Sequence, residues 1–278
     1  MQPLRSAAAL ALFAVGCGGG GGDPLENADY IAGWANSTSA FGVYTLAHEP
    51  LAFTNQAFNF ADPNCPATSD DDTTVVITGG CEDTSGRAWA GEVTVVRREG
   101  GWSLTFDGFG DDRFGGMAKV NGSFEVDEEG ESLHSFHADL DRDGGIESRV
   151  IYSGTVEGGY EGPTVWNGSG AVSRSGVVIN SGSVDAETVD QLRDNEVCPG
   201  EGISGTTTMT SDEHVVVISY DGDTACDEDD AAAWSLDGED QGVINGVTCS
   251  AGGPASPGAA ALLLLIVLAL PLRRRRRG

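Results

Sequence analysis

The stretch "WSLTFD", Trp102 to Asp107, shows the pattern that decides the fold. Apolar Trp102, Leu104 and Phe106 alternate with polar residues, so they share one face of an extended strand while the polar residues share the other. Such alternation is typical of a strand that packs one face on a core and leaves the other in water. The segment therefore predicts a half-buried β-strand.

The same alternation recurs outward from this stretch, and turn signals such as "REGG", "DEEGE", "DRDGG" and "NSGS" separate the strands at hairpin spacing. The pattern predicts an all-β fold, an antiparallel meander of roughly ten to twelve strands forming a β-sandwich or a partly closed barrel. The further residues predicted to face inward are Val120, Phe124, Val126, Phe136, Ala138, Leu140, Ile146, Val150 and Tyr152.

Helical periodicity is nearly absent. Only "DAETVDQLRDNE", residues 185–196, has a pattern that predicts a short helix, with Val189 and Leu192 on one side.

The charge of the chain is strongly negative, at −28 over 278 residues. All 43 acidic residues lie between the first cysteine and the apolar tail, whereas six of the 15 basic residues lie outside that stretch. Such a surface repels phosphate backbones, which excludes nucleic-acid binding, and it favours cations and cationic partners. The alternative is that acidic charge only keeps a secreted protein soluble.

The N-terminal sequence has the layout of a secretory signal: one Arg, an apolar run over residues 6–15, and small residues before Cys17. The segment "AVGC" resembles the lipobox of bacterial lipoproteins, and the resemblance implies that Cys17 is acylated and becomes the new N-terminus. Residues 1–17 then form the signal, and residues 18–27 a Gly-rich tether. The alternative is an ordinary cleaved signal that releases a soluble N-terminus.

The C-terminal segment, residues 249–278, combines Cys249, a small-residue spacer, an apolar run over residues 259–272 and five terminal arginines. The run reaches only about 21 Å, too short for a permanent span of a core near 30 Å. The arginines would stay cytoplasmic and leave the acidic body, residues 28–248, outside. The layout resembles the Myxo-CTERM sorting tail, which implies a transient inner-membrane helix, cleavage near Cys249 and delivery to the cell surface or outer membrane. The implied partners are the export and sorting machinery and a membrane, contacted through the lipid or the tail.

The four remaining cysteines, Cys65, Cys81, Cys198 and Cys226, are an even number in a chain predicted to be exported, which indicates two disulfides rather than metal ligands. Two stretches beginning at Cys65 and Cys198 echo each other: Cys-Pro, a Val/Ile strand, a second Cys followed by two acids, and Ala-Trp. The echo favours the local pairings and suggests an internal duplication. Chance matching of short acidic motifs is the alternative.

The motif "DLDRDGGIE" places Asp139, Asp141, Asp143 and Glu147 at alternating positions around a glycine. Alternate carboxylates followed by Gly allow a loop to direct several oxygens at one hard cation, so these four residues are a candidate calcium site. The motif resembles the calcium loop of FG-GAP-type hairpins. The alternative is a plain acidic hairpin turn between two strands.

No other motif carries chemistry. His134 and His137 would point to opposite faces of a strand, so they cannot chelate one ion, and nucleophile-elbow, zincin and phosphate-loop signatures are missing. The sequence therefore indicates an exported, surface-anchored β protein with a binding or structural role. The alternative is a secreted hydrolase that acts on polysaccharide or peptide through carboxylates the sequence does not identify.

Overall fold

A computed structural model describes residues 22–45, 64–112, 117–129, 132–144, 146–158, 162–176, 181–194, 196–197, 202–220 and 232–247. The signal, the sorting tail, Cys17, Cys198, Cys226 and Cys249 lie outside these ranges, so the interpretations that rest on them stay predictions. No helix within the described ranges is both long and apolar enough to cross a membrane.

The described chain folds into an antiparallel meander, which confirms the predicted all-β class. Fourteen strands of the described chain belong to one sheet. Each strand pairs with the next, except that β2 pairs with β4 and the short β3 also pairs with β4. Strands β1 and β14 form the two edges. The strands are β1 (Ala67–Asp70), β2 (Thr74–Thr78), β3 (Cys81–Glu82), β4 (Ala88–Arg98), β5 (Gly101–Asp111), β6 (Ala118–Glu128), β7 (Leu133–Asp143), β8 (Ile146–Glu157), β9 (Thr164–Gly176), β10 (Gly182–Arg193), β11 (Ser204–Thr210), β12 (Val215–Ser219), β13 (Ala232–Leu236) and β14 (Glu239–Ile244).

The predicted alternation is found in the burial of the strands. In β5, Leu104 is fully buried and Phe106 nearly so, whereas Trp102 is partly buried at the rim of the core. The other predicted inward residues of β6, β7 and β8 are buried or partly buried as well, apart from Ile146, whose side chain lies outside the description. Burial of this one face is the main source of the free energy that holds the sheet.

Aromatic rings form a ladder across the inner face of β5 to β8. Stacked pairs join Trp102 to Phe124, Phe124 to Phe136, and Phe136 to Tyr152, with ring centroids 5.8, 5.9 and 6.2 Å apart. Glycines on the neighbouring strands make room for the rings. A Cβ at Gly154 would lie 2.5 Å from Phe136 Cζ, which no real packing allows.

Two helices, α1 (Ala28–Thr38) and α2 (Ala40–Thr45), cover part of the inner face, and sequence analysis missed both. Asn27 caps α1 by accepting a hydrogen bond from the Asp29 amide at 3.0 Å. In α2, the Tyr44 ring packs edge-on against Phe124, Phe136 and Trp166, with centroids 5.0 to 5.6 Å apart.

The helix predicted over residues 185–196 is wrong, because residues 185–193 belong to β10. Val184 and Ala186 are buried at strand spacing, and Val189, which the helix would have placed inward, is 43% exposed. Backbone pairing to β9 and β11 on both sides overrides the weak helical pattern. A β-bulge at Asp190, where φ is 51°, shifts the register of pairing with β9 between Thr188 and Gln191.

The two ends of the described chain lie at opposite ends of β14. Residues 23–27, assigned to the tether by sequence, are packed: Leu25 is fully buried, and the Asp23 carboxylate accepts a hydrogen bond from Ser211 beside the β11–β12 turn. At the other end, Val247 is buried and the Gly246 carbonyl accepts a hydrogen bond from the Asn36 side chain at 2.8 Å. Contacts with α1 therefore fix where the chain leaves the sheet.

Candidate functional site

A shallow groove crosses the outer face of β6, β7, β8 and β9, on the side of the sheet opposite the helices. Its volume is about 560 Å³. We call it the outer-face groove, and its lining residues are Glu125, Asp127, Ser135, Phe136, His137, Ser153, Gly154, Thr155, Asn167, Gly168 and Ser169.

The register of the strands assembles the groove in two rows. One row runs Glu125, His137, Ser153, Ser169 from β6 to β9, since each residue is the cross-strand partner of the next. The second row, two residues along each strand, runs Asp127, Ser135, Thr155, Asn167. Cross-strand partners have Cβ atoms about 5 Å apart, so each row is a continuous strip of polar groups.

The depth of the groove comes from side-chain size. The β8 residues Ser153 and Thr155 are short, whereas Glu125, Asp127 and His137 on β6 and β7 are longer and form one wall. Between the rows, Gly154 and Gly168 contribute only backbone. A ligand in the groove would therefore meet hydroxyl groups below it and carboxylates along one side.

Hydrogen bonds and an ion pair fix several of the lining side chains. His137 Nδ1 lies 2.8 Å from Ser153 Oγ, and the Asn167 side-chain oxygen accepts the Asp190 amide hydrogen bond at 2.8 Å. Asp127 pairs with Arg98 at 2.5 Å. Glu125 is then the carboxylate of the wall that has no such cation among its described contacts. The described lining of the groove contains no Lys or Arg.

The candidate calcium residues lie beside this groove, on the β7–β8 hairpin. Asp139, Asp141 and Asp143 follow one another along the outer face of β7, where alternate residues are about 6.6 Å apart, and Asp141, Asp143 and Glu147 line one shallow pocket. Arg149 pairs with Asp139 at 2.5 Å and also with Asp141, and Ser175 donates to Glu147 at 2.9 Å.

Among the residues the structure describes, no group of three or more His, Cys, Asp or Glu side chains is placed to hold a metal ion. The calcium site and its alternative, an acidic hairpin turn, both stay predictions.

The disulfide between Cys65 and Cys81 confirms one of the two predicted local pairings. It joins the residues before β1 to β3, next to the buried carboxylate of Asp83. That carboxylate accepts hydrogen bonds from Ser85 Oγ at 2.5 Å, Trp89 Nε1 at 3.0 Å and the backbone amides of Ser85 and Arg87. The bonds from Ser85 and Trp89 hold the pKa of Asp83 far below its ordinary value of 3.8.

Sequence analysis did not identify the outer-face groove. The sequence gives His137 no role as a metal ligand with His134, and neither Ser153 nor Glu125 belongs to a motif. The three residues are far apart in sequence and meet only through the register of three strands. No family model, no curated protein and no solved structure matches the chain, so the groove stands on its geometry alone.

Proposed function

We propose that this chain is an exported, surface-anchored β protein that binds a ligand through the outer-face groove. The observation that carries the proposal is a polar groove on the free face of a sheet whose other face is filled by an apolar core. The Cys65–Cys81 disulfide supports the compartment, because such bonds persist mainly outside the reducing cytosol.

The ligand we propose is an extended peptide that carries lysine or arginine side chains. Glu125 supplies negative charge along one wall, beside the Arg98-paired Asp127, and the hydroxyl groups of Ser135, Ser153 and Ser169 supply hydrogen-bond acceptors. The net charge of −28 adds a long-range attraction for such a partner. Four strands at about 4.8 Å spacing give rows roughly 14 Å long, a length suited to a short extended segment.

The test is the affinity of a fluorescent hexalysine peptide, measured by anisotropy at low salt. We expect Glu125→Gln to weaken binding about threefold, because an exposed charge in a groove contributes modestly. Glu92→Gln makes the same charge change on the exposed part of β4 and should have almost no effect. Binding should weaken further as salt is added.

Equal losses in the two variants would contradict the proposal, since they would show that the general charge of the chain, and not the groove, attracts the peptide. Hexaglutamate of the same length is the matched probe and should not bind.

The hydrolase alternative has one observation in its favour, the contact between His137 and Ser153, a base beside a hydroxyl group. The backbone amides of β7, β8 and β9 argue against it, because they bond to neighbouring strands in the plane of the sheet and do not point into the groove. We expect the wild type and Ser153→Ala to release nitrophenol from a nitrophenyl ester at the same background rate. A loss of activity in Ser153→Ala would favour the hydrolase.

Anchoring is tested separately by mass spectrometry of the mature protein. The proposal expects a lipid on Cys17, a cut near Cys249, or both, with Cys198 and Cys226 joined. An unprocessed chain with free thiols in the cytosolic fraction would contradict export, and it would leave the groove proposal to the peptide experiment.

A further inference from the structure

The segment before α1 is bonded to the β11–β12 turn by the Asp23 carboxylate. One carboxylate oxygen accepts from Ser211 Oγ at 2.6 Å, and the other accepts from the Glu213 amide at 3.2 Å. The first oxygen also accepts from the Leu25 amide at 2.8 Å. The buried Pro24 and Leu25 side chains anchor the start of α1, whereas Gly22 and Asp23 depend on these polar contacts.

His214 lies next to these bonds and is surrounded by acids. Its Nδ1 is 2.8 Å from Asp237 Oδ2, on the β13–β14 turn, and its backbone amide donates to Ser211 Oγ at 3.1 Å, the same hydroxyl group that donates to Asp23. The charged groups that act on the imidazole are Asp237, Asp23 and Glu213. Three elements of the chain therefore meet at one titratable ring.

We propose that His214, Asp23 and Asp237 form a clamp that holds residues 22–23 on the β11–β12 turn and loosens as the pH rises. A protonated imidazole places one positive charge among three carboxylates. When the proton leaves, Asp23, Glu213 and Asp237 face one another without that charge, and their repulsion weakens the bonds that Asp23 accepts.

The direction of the pH effect follows from two pKa shifts. The hydrogen bond to Asp237 raises the pKa of His214 above its ordinary 6.5, so the contribution is complete below 6.5 and is lost as the pH rises through the raised value. Hydrogen bonds from the Val215 amide and from His214 lower the pKa of Asp237 below its ordinary 3.8, so its contribution is present above 3.8 and is lost only as the pH falls through the lowered value. The clamp is tightest between these two limits.

The test is the exchange of the Glu213 amide proton, which donates to Asp23, measured by NMR as a protection factor that corrects for intrinsic pH dependence. We expect protection to be about two- to fivefold greater near pH 5.5 than near pH 8, as for an exposed ion pair. His214→Gln should abolish this difference. His137→Gln removes an exposed imidazole elsewhere and should keep it.

Asp23→Asn provides a second variant that keeps an acceptor but removes the charge. It should lower the pKa of His214, followed through the imidazole protons, and reduce the pH effect on Glu213. Wild-type protection that does not change with pH, or a change that persists in His214→Gln, would overturn the clamp. If His214→Gln does not fold, the wild type decides, because the midpoint of the protection change must coincide with the titration of His214.

Discussion

The two echoing regions of the sequence share a hairpin followed by a further strand, and they differ in the described contacts that stabilise them. Each has a hairpin, β1–β2 or β11–β12, followed by a strand that contains Ala-Trp near its start, β4 or β13. Their registers differ: Ile77 of β2 is paired with Val93, whereas Ile218 of β12 is paired directly with Trp234. The echo therefore preserves the order of the strands and not their alignment, so the duplication stays a prediction.

The contacts that stabilise the first region are local. Cys65 and Cys81 are 16 residues apart, and the described partners of the Asp83 carboxylate lie within six positions of it. The second region also depends on residues outside it. Thr207 bonds to Thr188 of β10, and Ser211 bonds to Asp23, 188 positions away.

The position of each region explains this difference. The helices pack chiefly on β7, β8, β9 and β11, so the second region lies under α1 and obtains its partners from elsewhere in the chain. The first region lies at the β1 edge of the sheet, where a short strand needs additional support. A covalent bond and a bonded carboxylate supply that support within the region itself.

Removing the disulfide should have the largest effect. In the double variant Cys65→Ser, Cys81→Ser, we expect the free energy of unfolding to fall by about 3 kcal/mol, because a loop of this length gains that much chain entropy when it is opened. Denaturant unfolding measures the total, and hydrogen exchange should show lost protection in β1 to β4 with β11 to β13 unchanged. Equal loss of protection in both regions would contradict the comparison.

In Asp83→Asn, we expect the free energy of unfolding to fall by about 2 kcal/mol. The side-chain amide of the variant has one acceptor oxygen, whereas the donors around the Asp83 carboxylate now share two. Because the pKa of Asp83 is lowered in the fold, its contribution is present above 3.8 and is lost as the pH falls. The variant should therefore lose less stability than the wild type on acidification below 3.8. Asp107→Asn, on the exposed face of β5, is the matched control and should lose stability on acidification as the wild type does. If it loses as little as Asp83→Asn, the acid response does not come from Asp83.

Thr207→Val should have the smallest effect, about 1 kcal/mol, because it keeps the shape of a fully buried side chain and removes its two hydrogen bonds. The loss should appear in β10 to β12 and not in β1 to β4. Thr208→Val, the next residue on the opposite face of β11, should leave the thermal midpoint nearly unchanged. If the two variants cost the same, the buried hydroxyl network does not stabilise the second region.

The sheet could be predicted from sequence because alternation in segments such as Trp102 to Asp107 is local information. The α1 helix also has a sequence signal, because the residues after the Asn27 cap that are buried lie at helical spacing: Ile31, Trp34, Ala35 and Thr38. In β10, burial at positions 184 and 186 outweighs the helical spacing of Val189 and Leu192. Pairing partners decide such short ambiguous segments, and one sequence does not contain them.

The outer-face groove was harder to predict, because it depends on register. Glu125, His137 and Ser153 become neighbours only when three strands align to the residue, and a shift of one position would move each to the other face. The calcium motif, in contrast, can be recognised in the sequence, but its ion pairs cannot. Arg149, six to ten positions away from the aspartates of the motif, pairs with two of the carboxylates.

The described chain begins beside the β13–β14 turn and ends just beyond Gly246, so β14 separates its two ends. The six residues of β14 span roughly 20 Å. A lipid at Cys17 would therefore hold the sheet from one end of β14, and the predicted sorting tail would hold it from the other.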